Sequence, residues 1–316
     1  MTERSASAAL SLTAFATLLL IALLMGANHV AARIAFDHGV DVATAVAVRS
    51  IATALVVGLL IVVQRAPVAT TPRQRRFLPA IGLIVGVQSV CLYSAVARLP
   101  VALALLAFNT YPLWTALWAR VLYGNRPERR VVLAMPVMLA GLALALDVLG
   151  AASGLGATAQ WRQIGAGVAF ALAAAATFGL ALVFTQHEAG DLDGRLRTAT
   201  TMAIVAVIAT VATTAHGGFH FPDAAPGWWG LAALTFLYGT AFTIMFTVLP
   251  KLGVVGNSAI MNVEPVFALG LAWLVLGQSI APSQVAGGLV VVATVVWLGL
   301  RRPRLREAPG HSSLGR

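Results

Sequence analysis

The second half of this chain repeats the first at a constant offset of 153 residues, and no insertion interrupts the register. Matches of alanine or leucine mean little in such an apolar chain, but glycine, proline, asparagine and basic residues have specific backbone or polar roles. Matches of these types pair Gly26 with Gly179, Asn109 with Asn262, Pro112 with Pro265, Gly124 with Gly277, and Arg98 with Lys251. A duplicated hydrophobic block of about 150 residues is typical of membrane transporters.

The composition indicates that most of the chain lies in a membrane. Hydrophobic residues make up 59% of the 316 residues, charged residues make up 10%, and the mean hydropathy is +0.87. A soluble protein carries about 25% charged residues. Ten apolar runs are long enough to cross the hydrocarbon core as helices and too long for the strands of a barrel. They span residues 11–33, 42–63, 78–97, 100–122, 130–150, 161–186, 197–215, 227–249, 252–275 and 281–300.

The distribution of basic residues predicts the orientation. Seventeen of the 21 basic residues fall on the side that holds both termini, so the positive-inside rule places both termini in the cytoplasm. The net charge of +10 is scattered over short loops and the tail, which argues against a nucleic-acid partner. The loop 186–196 is acidic although it falls on this side, but acidic residues contribute little to the rule. Arginine outnumbers lysine 20 to 1, which suggests a GC-rich bacterial gene and hence a bacterial inner membrane.

Each repeat holds five spans, an odd number, so the second block enters the membrane from the opposite face. The predicted fold is an all-α integral membrane protein with ten transmembrane helices in two inverted five-helix repeats, both termini being cytoplasmic. The first repeat is predicted at residues 11–150, the second at 161–302 and a cytoplasmic tail at 303–316. The intervening segment is rich in glycine, alanine and serine and is interpreted as a linker.

Glu264 lies near the middle of the ninth span. An ionised carboxylate in the bilayer is costly unless it is paired or hydrated, so an intramembrane acid indicates a functional site. Glu264 is expected to bind a cationic or amino group of a substrate, or to carry a proton. A protonated carboxyl group with a purely structural role is the alternative. Histidine as a residue type ordinarily changes its charge near neutral pH, so His29 in the first span is the second candidate for proton coupling, although a lone histidine in a helix more often serves packing.

Pro112 and Pro265 occupy equivalent positions in the fourth and ninth spans. Each removes a backbone N–H group and predicts an opened or kinked helix. Broken helices at equivalent repeat positions point to a substrate site, but a kink that serves only packing is equally compatible. Tyr111 is the repeat counterpart of Glu264, and Trp114 lies one turn further. Both aromatic residues are candidates for lining the substrate, with core packing as the alternative.

Arg49 and four asparagines are the remaining candidates for substrate binding. Arg49 in the second span could bind a carboxylate or phosphate through its planar fork, or it could snorkel outward or pair with Asp37 or Asp41. The asparagines could bind substrate or bridge helices. They are Asn28 in the first span, Asn109 in the fourth, and Asn257 and Asn262 in the ninth, while Gln88 and Tyr238 are weaker candidates.

No catalytic, cofactor or metal site is expected. The chain has no zincin signature, P-loop or Cys-x-x-Cys motif, and Cys91 is its only cysteine. His216 and His220 are four residues apart in an outer loop, but Gly217 and Gly218 between them disfavour a helix there. A metal site is therefore not predicted.

Short motifs in both repeats are similar to those of a known family. They are Met25-Gly26-Ala27-Asn28, Val48-Arg49-Ser50, Asn109-Thr110-Tyr111-Pro112-Leu113 and Asn262-Val263-Glu264-Pro265-Val266, with Gly124 and Gly277 closing the fourth and ninth helices. In this order and spacing the chain resembles the EamA-type transporters of the drug/metabolite transporter superfamily over about residues 11–302. Asn125 and Gln278 stand where that family usually carries glutamate. The resemblance implies a ten-helix bundle of two inverted repeats that moves small metabolites, and many members export amino acids or related compounds.

The favoured hypothesis is a secondary transporter that exports a small metabolite, an amino acid or a related amphiphile, by alternating access around a midplane site. Without a nucleotide-binding motif, an ion gradient is the expected energy source, and the titratable Glu264 and His29 favour protons. A passive channel or facilitator is the alternative, and a membrane-embedded enzyme or receptor is less favoured. The expected partners are a small-molecule substrate and the lipid bilayer; proton coupling stays open, as does the choice between monomer and homodimer.

Overall fold

The computed structural model describes residues 12–126, 129–215, 217–248 and 263–299, and these ranges are helical with short connections. The helices are numbered in chain order. They are α1 (Leu12–Asp37), α2 (Val42–Val63), α3 (Pro72–Val96), α4 (Val101–Phe108), α5 (Tyr111–Tyr123), α6 (Arg129–Ala145), α7 (Ala157–Glu188), α8 (Gly194–Ala215), α9 (Ala225–Thr247), α10 (Glu264–Leu276) and α11 (Pro282–Gly299).

Seven helical segments in the described ranges are long and apolar enough to cross a membrane, counting α4 and α5 together as one segment. Helices α10 and α11 are shorter but also apolar. Large apolar side chains lie exposed on the outer faces of these helices, as on Leu55, Leu59 and Val62 of α2. Exposed apolar faces of this size suit lipid rather than water, so the described helices form a membrane protein.

The predicted fourth span is divided into α4 and α5 by Asn109 and Thr110. The Asn109 amide donates a 2.8 Å hydrogen bond to the Leu105 carbonyl, and the Thr110 hydroxyl donates one of 2.8 Å to the Ala107 carbonyl. These side chains satisfy carbonyl groups at the end of α4. Pro112 lies in the first turn of α5, where a missing N–H group costs no helical hydrogen bond.

The two repeats pack against each other through a symmetric set of helix pairs. Under the repeat offset, α1, α2, α3, α5 and α6 correspond to α7, α8, α9, α10 and α11. Helix α1 packs on α9 and α10, and its counterpart α7 packs on α3 and α5. Helix α2 packs on its own counterpart α8, and α6 packs on α11. Each of these extensive contacts joins one repeat to the other, so the two repeats interlock into a single bundle.

Two glycines that match under the offset permit close crossings between the repeats. A Cβ atom built on Gly26 of α1 would lie 3.1 Å from the Ala268 nitrogen of α10. A Cβ atom on Gly179 of α7 would lie 2.8 Å from the Thr115 nitrogen of α5. Ala268 and Thr115 are themselves 153 residues apart, so the same crossing occurs twice in the bundle. Small residues at such crossings let helix backbones approach closely.

Helix α4 lies in the core of the bundle. All residues from 101 to 107 are buried, and all of them except Ala102 belong to the largest apolar core cluster together with residues of α3, α6, α7, α10 and α11. A helix that is apolar on all sides is expected in such a central position.

At one end of the bundle, the loops after α1, α3 and α8 are joined by polar contacts. Arg33 binds Asp37 at 2.9 Å and donates to the carbonyls of Val96 and Ala97, each at 3.2 Å. His220 binds the Asp41 carboxylate at 3.1 Å. The Arg33 contacts join the end of α1 to the end of α3, and the His220 contact joins the start of α2 to the loop after α8.

The acidic loop 186–196 lies at the other end, against arginines. Glu188 is buried and accepts hydrogen bonds from Arg73 and from the Tyr123 hydroxyl, the latter at 2.5 Å. Arg195 binds Asp193 at 2.7 Å, and this guanidinium holds the pKa of the Asp193 carboxyl below its usual range. Acidic residues on the predicted positive side are thus held in contact with the arginines that surround them.

Candidate functional site

Glu264 and His29 form the central contact of the candidate site. Glu264 begins α10, and its carboxylate lies 3.3 Å from Nε2 of His29 in α1. The His29 side chain is buried, while that of Glu264 retains 24% exposure. The contact is positioned by the crossing at Gly26, whose added Cβ atom would lie 3.2 Å from the Glu264 carbonyl oxygen. An acid from the second repeat thereby meets a histidine from the first.

Arg49 of α2 is buried near this contact. Its Nη1 donates to the Tyr93 hydroxyl at 3.3 Å, and its Nη2 donates to the Ser89 hydroxyl at 3.0 Å. Its guanidinium carbon lies 4.1 Å from the centre of the Tyr238 ring and 4.9 Å from that of Tyr93. A guanidinium covered by aromatic rings keeps part of its electrostatic stabilisation after it leaves water. Neither outward snorkelling nor pairing with Asp37 or Asp41 occurs in the structure.

Tyr93 of α3 connects the two parts of the site. Its side chain is fully buried, and its hydroxyl donates to Oδ1 of Asn28 at 3.1 Å while accepting from Arg49. Its ring lies 5.7 Å from the ring of His29. We call the six residues Asn28, His29, Arg49, Ser89, Tyr93 and Glu264 the polar cluster. It draws on α1, α2, α3 and α10, and so on both repeats.

Four buried polar atoms in and beside the polar cluster have no hydrogen-bond partner within the described part of the chain. They are Nδ2 of Asn28, Nδ1 of His29, Nε of Arg49 and Oγ of Ser50. Buried polar groups in proteins are nearly always satisfied, because leaving one unpaired is energetically unfavourable. Each of these four atoms can take part in one further hydrogen bond, so a polar group of a ligand would find partners here.

Tyr111, the repeat counterpart of Glu264, lies in an aromatic environment. Its ring is 5.0 Å from that of Phe178 and 5.7 Å from that of Phe108. Trp114 lies one turn further along α5, at the crossing with Gly179. The two equivalent crossings therefore differ chemically, since one carries an acid and a histidine and the other carries aromatic rings.

The remaining predicted residues are distributed as follows. Asn28 belongs to the polar cluster, whereas the Asn109 amide donates to a carbonyl of its own helix segment. Pro265 follows Glu264 in the first turn of α10. Asn257, Asn262 and His216 lie outside the described residues.

Tyr93, Ser89 and Ser50 were not expected from the sequence. Tyr93 and Ser89 are four residues apart on α3, a spacing that places them on one helix face and that could have marked them as a pair. Gln88 and Tyr238, the weaker candidates, both contact the cluster. Gln88 accepts from the Ser89 hydroxyl at 3.4 Å, and Tyr238 covers Arg49.

Asn125 and Gln278, which follow the helix-closing glycines, each reach another helix. The Asn125 amide lies 3.2 Å from Nε2 of His187, and the Gln278 side chain accepts from the Val101 backbone at 3.1 Å. Both therefore link helices at the bundle ends. Among the described residues, no group of three or more His, Cys, Asp or Glu side chains is arranged to hold a metal ion.

Comparisons with known proteins place the chain in a family. A model of the EamA-like transporter family matches residues 12–146 and again 165–300, and the two matches begin 153 residues apart. No curated protein matches the sequence. Fifteen chains of solved structures match, and the alignment to one crystal structure covers 91% of this chain and 97% of the other, with a TM-score of 0.60 and 17% identity. That likeness shows a shared fold. Since the family model covers both halves, the chain belongs to the EamA-like transporter family of the drug/metabolite transporter superfamily.

Proposed function

We propose that this chain is a secondary transporter of the bacterial inner membrane that exports a small amphiphilic metabolite, an amino acid or a related compound. The proposed topology has ten membrane crossings in two inverted repeats, residues 11–150 and 161–302, with both termini and the tail 303–316 in the cytoplasm. The observation that carries the proposal is the contact between Glu264 and His29. It joins the two repeats inside the apolar bundle, where titratable groups are costly and usually functional.

The polar cluster supplies the chemistry that alternating access requires. In the structure the Glu264 carboxylate contacts His29, and a cationic cargo group or a proton competes for the same carboxylate. Binding of either one changes the attraction between α10 and α1, which belong to different repeats. Relative rocking of the repeats around this point then exposes the cluster to one side at a time. The proton gradient drives export when protonation of Glu264 releases the cargo.

Transport in proteoliposomes tests this proposal. The purified protein is reconstituted, the vesicles are loaded with a panel of labelled amino acids and related amphiphiles, and the label is followed with and without an imposed pH gradient. We expect gradient-driven transport that a protonophore abolishes. The variant Glu264→Gln should lose at least about tenfold of this transport, the equivalent of one charge-assisted contact, because it can neither ionise nor carry a proton.

The control variant is Asp191→Asn, which removes an exposed carboxylate of the acidic loop, far along the chain from the cluster. It should transport like the unmodified protein. Normal transport by Glu264→Gln at equal protein level would contradict the proposed site. Label movement that only equilibrates and ignores the pH gradient would favour a passive facilitator instead.

A further inference from the structure

The sequence supplies few acidic residues that could pair with Arg49 inside the membrane. Of the eleven acidic residues in the sequence, ten lie in loops, in terminal segments or at helix ends. Glu264 is the single acid well inside a predicted span, and its carboxylate contacts His29. The ten others are Glu3, Asp37, Asp41, Glu128, Asp147, Glu188, Asp191, Asp193, Asp223 and Glu307. No acid is therefore positioned in the sequence to neutralise Arg49 directly, other than one already engaged.

The contacts of Arg49 agree with this inventory. Its side chain is bonded to two neutral hydroxyl groups, those of Tyr93 and Ser89, and its electrostatic neighbours are the rings of Tyr93 and Tyr238. No carboxylate is among them. Arginine stays protonated in proteins, so this residue is a buried cation that has no counter-ion among the described residues.

A buried cation is normally stabilised by a paired anion, and breaking such a pair is strongly destabilising. Here two aromatic faces and two hydroxyl groups replace the anion only in part. Nε of Arg49 has no partner in the described part of the chain, and the same holds for Nδ2 of Asn28, which the Tyr93 hydroxyl connects to Arg49. Both atoms are hydrogen-bond donors, so each of them requires an acceptor.

We infer that Arg49 is an anion-binding group, and that the ligand it receives is a carboxylate or similar monoanionic group of the cargo. The inference deepens the proposed function, on which it rests for the identity of the anion as cargo. Glu264 and Arg49 then receive groups of opposite charge at two separate points of one site. An anion at Arg49 restores the neutrality that the helices themselves do not supply.

Tyr238 links the anion-binding position at Arg49, which we call the seat, to relative motion of the two repeats. It belongs to α9 of the second repeat, whereas Arg49, Ser89 and Tyr93 belong to the first. Its ring covers the guanidinium at 4.1 Å and leaves Arg49 buried. An anion reaches Arg49 when α9 moves relative to α2, so access to the seat follows the relative position of the repeats.

Ligand-dependent thermal unfolding of the purified protein tests the seat without any knowledge of the natural cargo. The probes are propionate, its neutral analogue propionamide and chloride, titrated in a buffer whose anions are bulky sulfonates. We expect propionate to raise the unfolding temperature saturably and propionamide to have no effect. Arg49→Gln should weaken the apparent propionate affinity by at least about tenfold, as expected for a lost charge-assisted hydrogen bond.

Arg98→Gln is the matched control, since Arg98 also lies over an aromatic ring, that of Phe170 at 4.8 Å, but is exposed at a helix end. It should keep the propionate response. If Arg49→Gln does not fold, Arg49→Lys retains the charge without the planar fork and should bind propionate more weakly than the unmodified protein. A saturable chloride response that Arg49→Gln abolishes would support the seat and identify a free inorganic anion as its ligand.

Two outcomes would overturn the inference: no saturable response of the unmodified protein to either anion, or an equal propionate response in Arg49→Gln. The proteoliposome assay separates this test from the proposed function. Gradient-driven transport that depends on Glu264, together with no anion response in thermal unfolding, would support the transport function and contradict anion binding at Arg49. An Arg49-dependent anion response without any transport would support anion binding at Arg49 and contradict the proposed transport function.

Discussion

At the scale of single residues, Tyr93 holds the candidate site together. Its hydroxyl accepts from Arg49 and donates to Asn28, and its ring lies between Phe36, at 5.9 Å, and His29. A buried hydroxyl that both donates and accepts fixes the orientation of two neighbours at once. The geometry of the polar cluster therefore depends on a residue that does not itself carry charge.

The variant Tyr93→Phe keeps the ring and removes this bridge. Oδ1 of Asn28 then loses its donor, and Arg49 loses one of its two hydrogen bonds, and both of these side chains are buried. We expect a loss of about 1–3 kcal/mol in unfolding free energy, the usual effect of leaving buried polar groups unpaired. The measurement is the shift in thermal unfolding of the purified protein.

Tyr238→Phe provides the comparison for that substitution. It preserves the ring over Arg49 and removes a hydroxyl that makes no hydrogen bond among the described residues, so its stability should change little. Equal destabilisation by the two substitutions would show that the Tyr93 hydroxyl has no special role.

The sequence allowed prediction of several site residues but not of their partners. Glu264, His29, Asn28 and Arg49 stand out because polar groups are rare in apolar spans. The contact of His29 with Glu264 was not predictable, because it depends on how α1 packs on α10, two helices from different repeats. For Arg49, local sequence suggested pairing with Asp37 or Asp41. Those acids instead bind Arg33 and His220, and Arg49 turns inward to Tyr93 and Ser89.

At the scale of helices, hydropathy and length predicted the elements well, and Pro112 predicted that the fourth span would be opened or kinked. The span predicted at 42–63 is α2 with the same bounds, and that at 197–215 is α8 starting three residues earlier. The predicted fourth span is interrupted before its proline, because the side chains of Asn109 and Thr110 bond to carbonyls of α4. Hydropathy does not register such local competition.

The repeated crossing at Gly26 and Gly179 leads to a prediction about helix packing. The variant Gly179→Ala places a methyl group 2.8 Å from the Thr115 nitrogen and 3.0 Å from Cβ of Trp114. Backbone atoms cannot yield as a side chain does, so α7 and α5 must separate. We expect roughly 1–3 kcal/mol of destabilisation, typical of overpacking, measured by thermal unfolding.

Gly58→Ala is the matched substitution, since Gly58 lies within α2 and has no atom within 4 Å of an added Cβ. Alanine favours helix over glycine by about 1 kcal/mol, so this variant should be neutral or slightly more stable. Similar losses in both variants would mean that any alanine in these helices is unfavourable and that the crossing is not the cause.

At the scale of the whole molecule, the symmetry of helix pairing explains why the sequence repeat persists only in certain residue types. Glycines at crossings and prolines at helix starts are retained in both halves because the same backbone contacts are made twice. The polar cluster and the aromatic environment of Tyr111 are free to differ, since a single bundle needs one site. Composition and repeat therefore specified the architecture, whereas the asymmetry that supports function required three-dimensional packing.

The arrangement of loops at the two bundle ends yields a prediction about topology. The linker between the repeats lies at the end of the bundle where α3 finishes, because Arg98 contacts Phe170 and Leu99 packs on Gly167, both in the first half of α7. The acidic loop lies at the opposite end.

In a Cys91→Ser background, a cysteine at exposed Ser153 should react in intact cells with a membrane-impermeant maleimide. A cysteine at exposed Asp191 should react only after the cells are permeabilised, since the positive-inside rule places it in the cytoplasm. The reverse pattern would overturn the orientation, and labelling of both positions from outside would contradict the crossing of the membrane by α7 itself.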